Sequence, residues 1–331
     1  MMAPEYHVPV LLEESVRLLD VRPDGVYADL TFGGGGHSRR ILSLLGPRGR
    51  LYGFDQDADT RANCPDDPRF CYVESNFRFL RGALRLRGVR QVDGILADLG
   101  VSSHHFDDVE RGFSFRGEAP LDMRMNRRGR LTAADVVNGY TVEELTRVVG
   151  DWGEVETPWK VAGCLVRARA AEPIATTAQL VAAVQPCTPK RDGAKFLTKL
   201  FQALRIEVNG ELDKLAGTLP QIANHLAVGG RLVVESYHSL EDKTVKAFMN
   251  QGLKVDAPAD MPVVPPDMMP FFKELTRGAI KADAEEIANN PRSASVRLRA
   301  VELTRPIPAR WRKRFDQGAD YASMTRQGRR D

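Results

Sequence analysis

VYADLTFGGGGHSRRIL, residues Val26–Leu42, decides how this chain folds. An apolar, β-branched run ends at Phe32, four glycines follow (Gly33, Gly34, Gly35 and Gly36), and a helical pattern starts at His37 or Ser38. Strand, glycine loop and helix in that order make the binding unit of a nucleotide-binding α/β domain. Glycines let a bulky ligand lie against bare backbone and supply the positive φ that such a turn needs. Ser38 is placed to cap the helix, whose free N–H groups then face the ligand. Two common ligands fit poorly. A dinucleotide loop spaces its glycines G-x-G-x-x-G, and here His37, Ser38 and Arg39 follow the run. A phosphate loop ends in Lys-Ser/Thr, which is also missing.

The next strands narrow the choice. RLYGFDQD (Arg50–Asp57) puts Asp55 at a strand's carboxyl end, about twenty positions beyond the glycines, where a carboxylate accepts from both hydroxyls of a ribose. NAD and S-adenosylmethionine both offer that ribose. FCYVESNF (Phe70–Phe77) reads as a third strand and VDGILADLGVSS (Val92–Ser103) as a fourth, with Asp98 at its polar tip. In an open α/β sheet the ligand lies outside the carboxyl ends of the strands, and Gly33–His37, Asp55, Asn76–Phe77 and Asp98 share that edge. Asp29-Leu30-Thr31-Phe32 ahead of the glycines resembles the first motif of class I methyltransferases, in which an acidic residue positions the methionine amino group. The alternative for Asp29 is a strand-end turn residue. Phe77 either stacks on adenine or is a core aromatic.

Longer runs carry a closer resemblance. HVPVLLEE (His7–Glu14), DLTFGGGGHS (Asp29–Ser38), DGILADLGVSS (Asp93–Ser103), RGFSF (Arg111–Phe115), PLDMRM (Pro120–Met125), FQALRIEVNGEL (Phe201–Leu212) and SYHSLEDK (Ser236–Lys243) follow in order, with NPRSASVRLRAVE near the end. Together they resemble the bacterial MraW-type methyltransferases, which methylate the N4 amine of a decoding-centre cytidine in small-subunit ribosomal RNA. The resemblance implies S-adenosylmethionine as cofactor, with contacts from Gly35, Gly36, His37, Asp55, Phe77, Asp98 and His105. It implies as partner ribosomal RNA, within the small subunit or an assembly intermediate. Two stretches depart from the family pattern, GEVETPWKVAGCL (Gly153–Leu165) and KFLTKL (Lys195–Leu200), both in the region expected to meet RNA. Two rival functions stand beside this one: an amino-methyltransferase with another RNA or DNA target, and a non-catalytic ribosome assembly factor of the same fold. The second would show a damaged glycine loop or lack Asp55 or Asp98, and this chain has all three.

The whole chain agrees with an α/β domain carrying an insertion. It has 331 residues, 43% hydrophobic and 27% charged, the balance of a soluble globular protein. No apolar run approaches the roughly 20 residues of a membrane helix, and the N-terminus lacks a basic-then-apolar signal, so the cytoplasm is expected. Cys64, Cys71, Cys164 and Cys187 lack metal-ligand spacing, and reduced thiols and no metal site are expected. The net charge of +3 says little, but arginines cluster at Arg111, Arg116, Arg124, Arg127, Arg128 and Arg130. Basic residues recur at Arg310, Arg312, Lys313, Arg314, Arg326, Arg329 and Arg330. Such clusters contact nucleic-acid phosphates or simply form a solvated face. The strand–helix alternation stops after Ser103. A long loop covers His104–Arg130, and helices are predicted at Thr132–Asn138, Thr141–Val149, Pro158–Ala171, Thr177–Val184 and Lys195–Ala216. The organisation predicted is a class I (Rossmann-like) sheet from residues 1–105 and 219–303, an inserted substrate-recognition domain at 106–218, and a basic tail at 304–331. A surface helix at Leu219–Val228 should end at Gly229-Gly230, followed by a fifth strand Arg231–Ser239, a helix Glu241–Asn250 and two last strands near Phe271–Thr276 and Ser295–Glu302.

Methyl transfer from a sulfonium is an in-line displacement, so the protein mainly aligns the reactants. A cytosine amine is a poor nucleophile, its lone pair delocalised into the ring, and needs a hydrogen-bond acceptor as it pyramidalises. Asp98 stands where amino-methyltransferases place that acceptor, with Ser102 or Ser103 as accessories; the family resemblance instead favours Asp98 as a cofactor ligand. His238 and Ser239 follow the fifth strand on the same edge, as candidates to contact the base or its ribose. Asp122, Arg124 and Asn209 are candidates to position RNA, against the alternative of salt bridges and hydrogen bonds within a loop. A base in folded RNA must leave its stack to react, so a splayed or partly assembled substrate is expected. A homodimer is left open.

Overall fold

In a computed structural model of the chain, residues 9–100, 108–255, 257–258 and 260–316 are described. They fall into two compact units, one made of the chain up to Gly100 and from Leu212 onward, the other of the stretch ending at Glu211.

The first unit is built on seven strands: β1 (Val26–Asp29), β2 (Arg50–Asp55), β3 (Phe70–Glu74), β4 (Val92–Asp98), β5 (Leu226–Ser236), β6 (Phe272–Glu274) and β7 (Arg297–Leu303). Their order is β3-β2-β1-β4-β5-β7-β6, with β7 antiparallel to both neighbours and the other pairs parallel. This is the class I methyltransferase sheet that the sequence predicts. Helices α1 (Leu12–Leu19) and α2 (Gly36–Leu44) cover one face; α3 (Leu80–Leu86), α9 (Glu211–His225) and α10 (Ser239–Leu253) cover the other. Strand alternation sorts the side chains between them. Tyr27, Leu96 and Val233 pack with α1 and α2, whereas Ala28, Ile95, Ala97, Leu232 and Val234 pack with α3, α9 and α10.

Several boundaries move. β1 ends at Asp29 rather than Phe32, because the chain leaves the sheet to form the loop. Helix α2 starts at Gly36, capped by Gly35 at φ 76° with no side-chain cap; Ser38 lies buried inside it and does not cap. Helix α9 begins at Glu211, ends at His225 and buries Leu212, Leu215, Leu219 and Ile222, so it is no surface helix. β5 therefore starts at Leu226, and Gly229-Gly230 lies within it, at a bulge where the pairing jumps from Val92↔Leu226 to Gly94↔Arg231. The predicted tail is not one up to Asp316. Ile307 and Trp311 are buried in the core, and Trp311 precedes the end of the last helix, α12 (Ala309–Asp316).

The second unit is helical: α4 (Ala133–Gly139), α5 (Val142–Arg147), α6 (Pro158–Ala171), α7 (Thr177–Val184) and α8 (Gly193–Asn209), with a π-helical turn at Val148–Trp152. Thr132, Thr141 and Thr176 each cap a helix through a capping box, with Asp135, Glu144 and Gln179 as partners. The helix predicted at Lys195–Ala216 is broken at Gly210, which takes φ 56° and ends α8. A shorter helix, α11 (Ala284–Asn289), lies between β6 and β7 in the first unit. Among the described residues no helix is long and apolar enough to cross a membrane.

Candidate functional site

The glycine loop and the tips of β1, β2 and β4 meet at the carboxyl edge of the sheet. An added Cβ at Gly36 would lie 2.3 Å from Pro9 Cγ, and one at Gly35 3.0 Å from the Phe32 ring, so neither position accepts a side chain without displacing a neighbour. The Gly33 N–H donates to Asp55 Oδ2 at 2.8 Å and the Asp57 N–H to Asp55 Oδ1 at 2.8 Å. Each Asp55 oxygen thus accepts one backbone bond and keeps a lone pair. Burial outweighs those bonds and raises the Asp55 carboxyl to about 6.

Register explains the acidic cluster beside the loop. Asp98 pairs with Glu235 across β4 and β5, so both side chains leave the sheet on one face. By the same alternation Asp29, two residues beyond Tyr27, points to that face, toward α1 and α2. Glu235 is fully buried, and its Oε1 accepts a 2.6 Å bond from Ser15 Oγ. The imidazole of His37, 5% exposed, stands between two acids, with Nε2 3.3 Å from Glu235 Oε1 and Nδ1 3.9 Å from Asp98 Oδ2. Tyr237 donates its hydroxyl to Asp98 Oδ1 at 2.8 Å and also lies 3.3 Å from Glu235 Oε2. The Asp98 side chain keeps 26% of its surface open.

Burial and the Glu235 charge push the Asp98 carboxyl up to about 8. Burial alone would push His37 down, but Glu235, Asp98 and Asp29 outweigh it and hold the imidazole at about 9, a cation at neutral pH. Burial and the same carboxylates raise Tyr237 well above a phenol's usual value, so it remains a neutral donor. One cation against several carboxyls leaves the pocket acidic, which suits a ligand bearing a sulfonium and an amino group. Bare backbone, a carboxylate at Asp55 with a lone pair left on each oxygen and an acidic floor together fit S-adenosylmethionine.

The other predicted residues divide. Asp29 is 1% exposed and accepts from Ser38 Oγ at 2.7 Å and from the Thr31 N–H at 3.1 Å. It braces the loop from behind, the turn alternative rather than an open ligand. Phe77 is half-buried, packed on one side against the core. His238 caps α10: its Nδ1 accepts from the Glu241 N–H at 3.4 Å, and Nε2 lies 3.1 Å from Glu241 Oε1. Its side chain is 9% exposed. Ser239 is the first residue of that helix. Ser102 and His105 lie outside the described residues.

In the second unit, Asn209 Oδ1 accepts from the Met125 N–H at 2.8 Å, and its Nδ2 donates to Met123 O and Arg205 O. Arg124 grips Asp122 through two nitrogens at 2.8 and 2.6 Å and donates to Gly129 O. Buried Arg111 donates to Arg124 O and Met125 O. These hydrogen bonds brace the loop internally and tie it to the end of α8. Arg116, Arg127, Arg128 and Arg130 remain exposed.

Over residues 5–304 the sequence matches the MraW methylase family. The chain belongs to that family. A Bifidobacterium adolescentis protein named ribosomal RNA small subunit methyltransferase H is 59% identical over 98% of this chain and 98% of its own length. One of the same name from Bifidobacterium longum subsp. infantis is 51% identical, covering 95% of this chain and 90% of its own. Among solved structures, an rRNA methylase from Streptococcus thermophilus overlays with TM-score 0.38 and 12% identity, over 92% of this chain and 99% of that one.

For this MraW-family chain, sequence reasoning missed Glu235, Tyr237 and Ser15. One signal was legible: RLVVES places an acid inside an apolar strand expected to be buried on both faces. Tyr237 carried no such signal, since a tyrosine after a strand is ordinary.

Proposed function

We propose that this MraW-family methylase transfers a methyl group from S-adenosylmethionine to the N4 amine of a cytidine in the decoding region of small-subunit ribosomal RNA. The observation that carries the reading is the 59% identity, end to end, with a small-subunit ribosomal RNA methyltransferase. The acidic pocket at the glycine loop supports it chemically. In this reading the first unit binds the cofactor and the second recognises RNA in the cytoplasm, within a small subunit or an assembly intermediate.

S-adenosylmethionine supplies an electrophilic methyl group on a positively charged sulfur. The Gly33–Gly36 backbone forms the bed on which it lies, and Asp55 takes the ribose hydroxyls. His37 and Ser15 hold Glu235 in place, and Tyr237 fixes the rotamer of Asp98 by occupying Oδ1. That leaves Oδ2 for the substrate. There it would accept a hydrogen bond from the cytosine amine, draw the lone pair out of conjugation and orient it for attack. The amine proton released on methylation would pass to Asp98 and on to water. A carboxyl already raised well above its ordinary value is suited to take that proton near neutral pH.

Labelled methyl transfer to purified small subunits lacking the modification, followed by nucleoside analysis, tests the reading. N4-methylcytidine is expected, with Asp98→Ala at least about 100-fold slower. Label in another nucleoside, or in DNA in preference to ribosomal RNA, would reject it.

A further inference from the structure

A second feature of the first unit takes no part in the pocket above. From Phe77 to Arg90 the chain reads FRFLRGALRLRGVR, with arginines at 78, 81, 85, 87 and 90 and no acidic residue. The segment makes a turn at Phe77–Phe79 and then α3. Phe79 is 54% and Leu86 88% exposed, and both border one groove, so they form a patch rather than scattered single residues. Between them lies a groove of about 470 Å³, lined also by Arg78, Gly82, Ala83 and Gln221. That volume is within the range of small-ligand pockets. The Arg78 guanidinium lies 4.7 Å from the centre of the Phe79 ring, and neither Arg78 nor Arg85 has a carboxylate partner among the described residues. The turn is braced rather than loose. Gln221 Nε2 donates to Arg78 O, Asn76 Nδ2 donates to Gln56 Oε1, and the Ser75 N–H donates to Asp55 O. Arg78 and Phe79 therefore stand just past the carboxyl end of β3, on the edge of the sheet that holds Asp55.

We propose that this face is a second RNA-contacting surface, on which Arg78 and Arg85 take phosphates while an unpaired base of the ribosomal RNA stacks on Phe79 and enters the groove beside Leu86. The proposal rests on ribosomal RNA being the substrate and adds where, outside the second unit, that RNA is held. Charge and chemistry favour RNA as occupant. Every basic residue of the segment is arginine, whose planar fork pairs with phosphate and stacks on rings. An exposed aromatic beside arginines is the combination that single-stranded RNA uses, base on ring and backbone on cation. The groove's one acid, Glu74, is paired with Arg61, so the charge left on this face is that of the arginines, which favours a polyanion over an apolar protein partner.

The test is binding of labelled small-subunit rRNA transcript, and separately of purified small subunits, across a salt series. R78E/R85E is expected to weaken transcript binding at least about tenfold and to flatten the log–log salt slope by about 1.4, or 0.7 per lost single-strand phosphate contact. Phe79→Ala should weaken binding about fivefold or more with the slope unchanged, because stacking releases no counterions. R78K/R85K should keep the parent slope. Calorimetric affinity for S-adenosylmethionine should be the same in all of them, which shows that the unit is folded. R78E/R85E with parent slope and affinity, beside a parent that binds and methylates rRNA, overturns the surface and leaves the proposed function standing. A parent that neither binds nor methylates rRNA overturns both. Loss confined to assembled subunits makes the partner a ribosomal protein and overturns the assignment to RNA.

Discussion

Asp98 and Glu235 are neighbours only because β4 and β5 pair in the register that sets them side by side. Two carboxyls so placed cannot both ionise cheaply, and Tyr237 is the neutral donor that eases one of them. Removing that donor should cost Asp98 part of its stabilised charge. Tyr237→Phe is expected to move the rising limb of the activity–pH profile alkaline by about one unit, with maximal rate nearly kept at high pH. An unchanged limb with a lower plateau would assign the hydroxyl to something else. Affinity for the cationic cofactor should itself rise from about pH 6 to pH 8, as Asp55 and Asp98 ionise. Calorimetry across that range checks it. The strand-end acids Asp55 and Asp98 were legible in the sequence because both end apolar runs. Glu235 and Tyr237 were not assigned, because their meaning depends on strand pairing.

At the scale of elements, the loop Arg111–Gly129 and helix α8 form one device. Asn209, at the last turn of α8, holds both ends of Met123–Met125 through two hydrogen bonds inside its own unit and donates a third to Arg205 O of its own helix. Asn209→Ala strips a buried N–H and a carbonyl of their partners, and should destabilise the second unit by about 1–3 kcal/mol. Unfolding followed by Trp152 fluorescence should shift, while affinity for S-adenosylmethionine stays at the parent value; a shift in affinity with no loss of stability would return Asn209 to the ligands. Helix starts were readable from local chemistry, as Thr132, Thr141 and Thr176 show. Strand β5 was misread at its start because Gly229-Gly230 looks like a helix stop, and only the pairing with β4 reveals a bulge.

For the whole molecule, the C-terminal segment and the buried charges decide stability. Trp311 packs against Phe271 at 6.0 Å between ring centres and is 7% exposed. Trp311→Ala should cost about 3–5 kcal/mol in urea unfolding, where a basic tail would cost nothing. Buried charges add a pH dependence. His37 is raised from 6.5 to about 9, so its contribution is complete below pH 6.5 and lost as pH approaches 9. Asp98 is raised from 3.8 to about 8; the folded state holds that proton longer than the unfolded chain, and stability falls as pH climbs toward 8. Both slopes have one sign between pH 6.5 and 8, so Tm of the free protein should fall across that interval. Asp98→Asn keeps the shape without the charge and should melt a few degrees above the parent near pH 8. A variant melting no higher there would mean that the carboxyl is not under strain.

Read alone, the chain determined what depends on near neighbours: strands, caps, the glycine loop, and the acids at the strand tips. Those signals are local, carried by period, turn chemistry and the spacing of a few residues. Tertiary structure alone decided which polar groups are spent and which are open. Asp29, Asn209, Asp122 and Arg111 look like ligands in the sequence, and each is consumed by partners, up to 86 positions away for Asn209. Arg78 and Phe79 look like an ordinary amphipathic start to a helix and stand exposed at the sheet edge. A hydrogen bond is short-ranged in space and indifferent to distance along the chain, so its account closes only after the fold does.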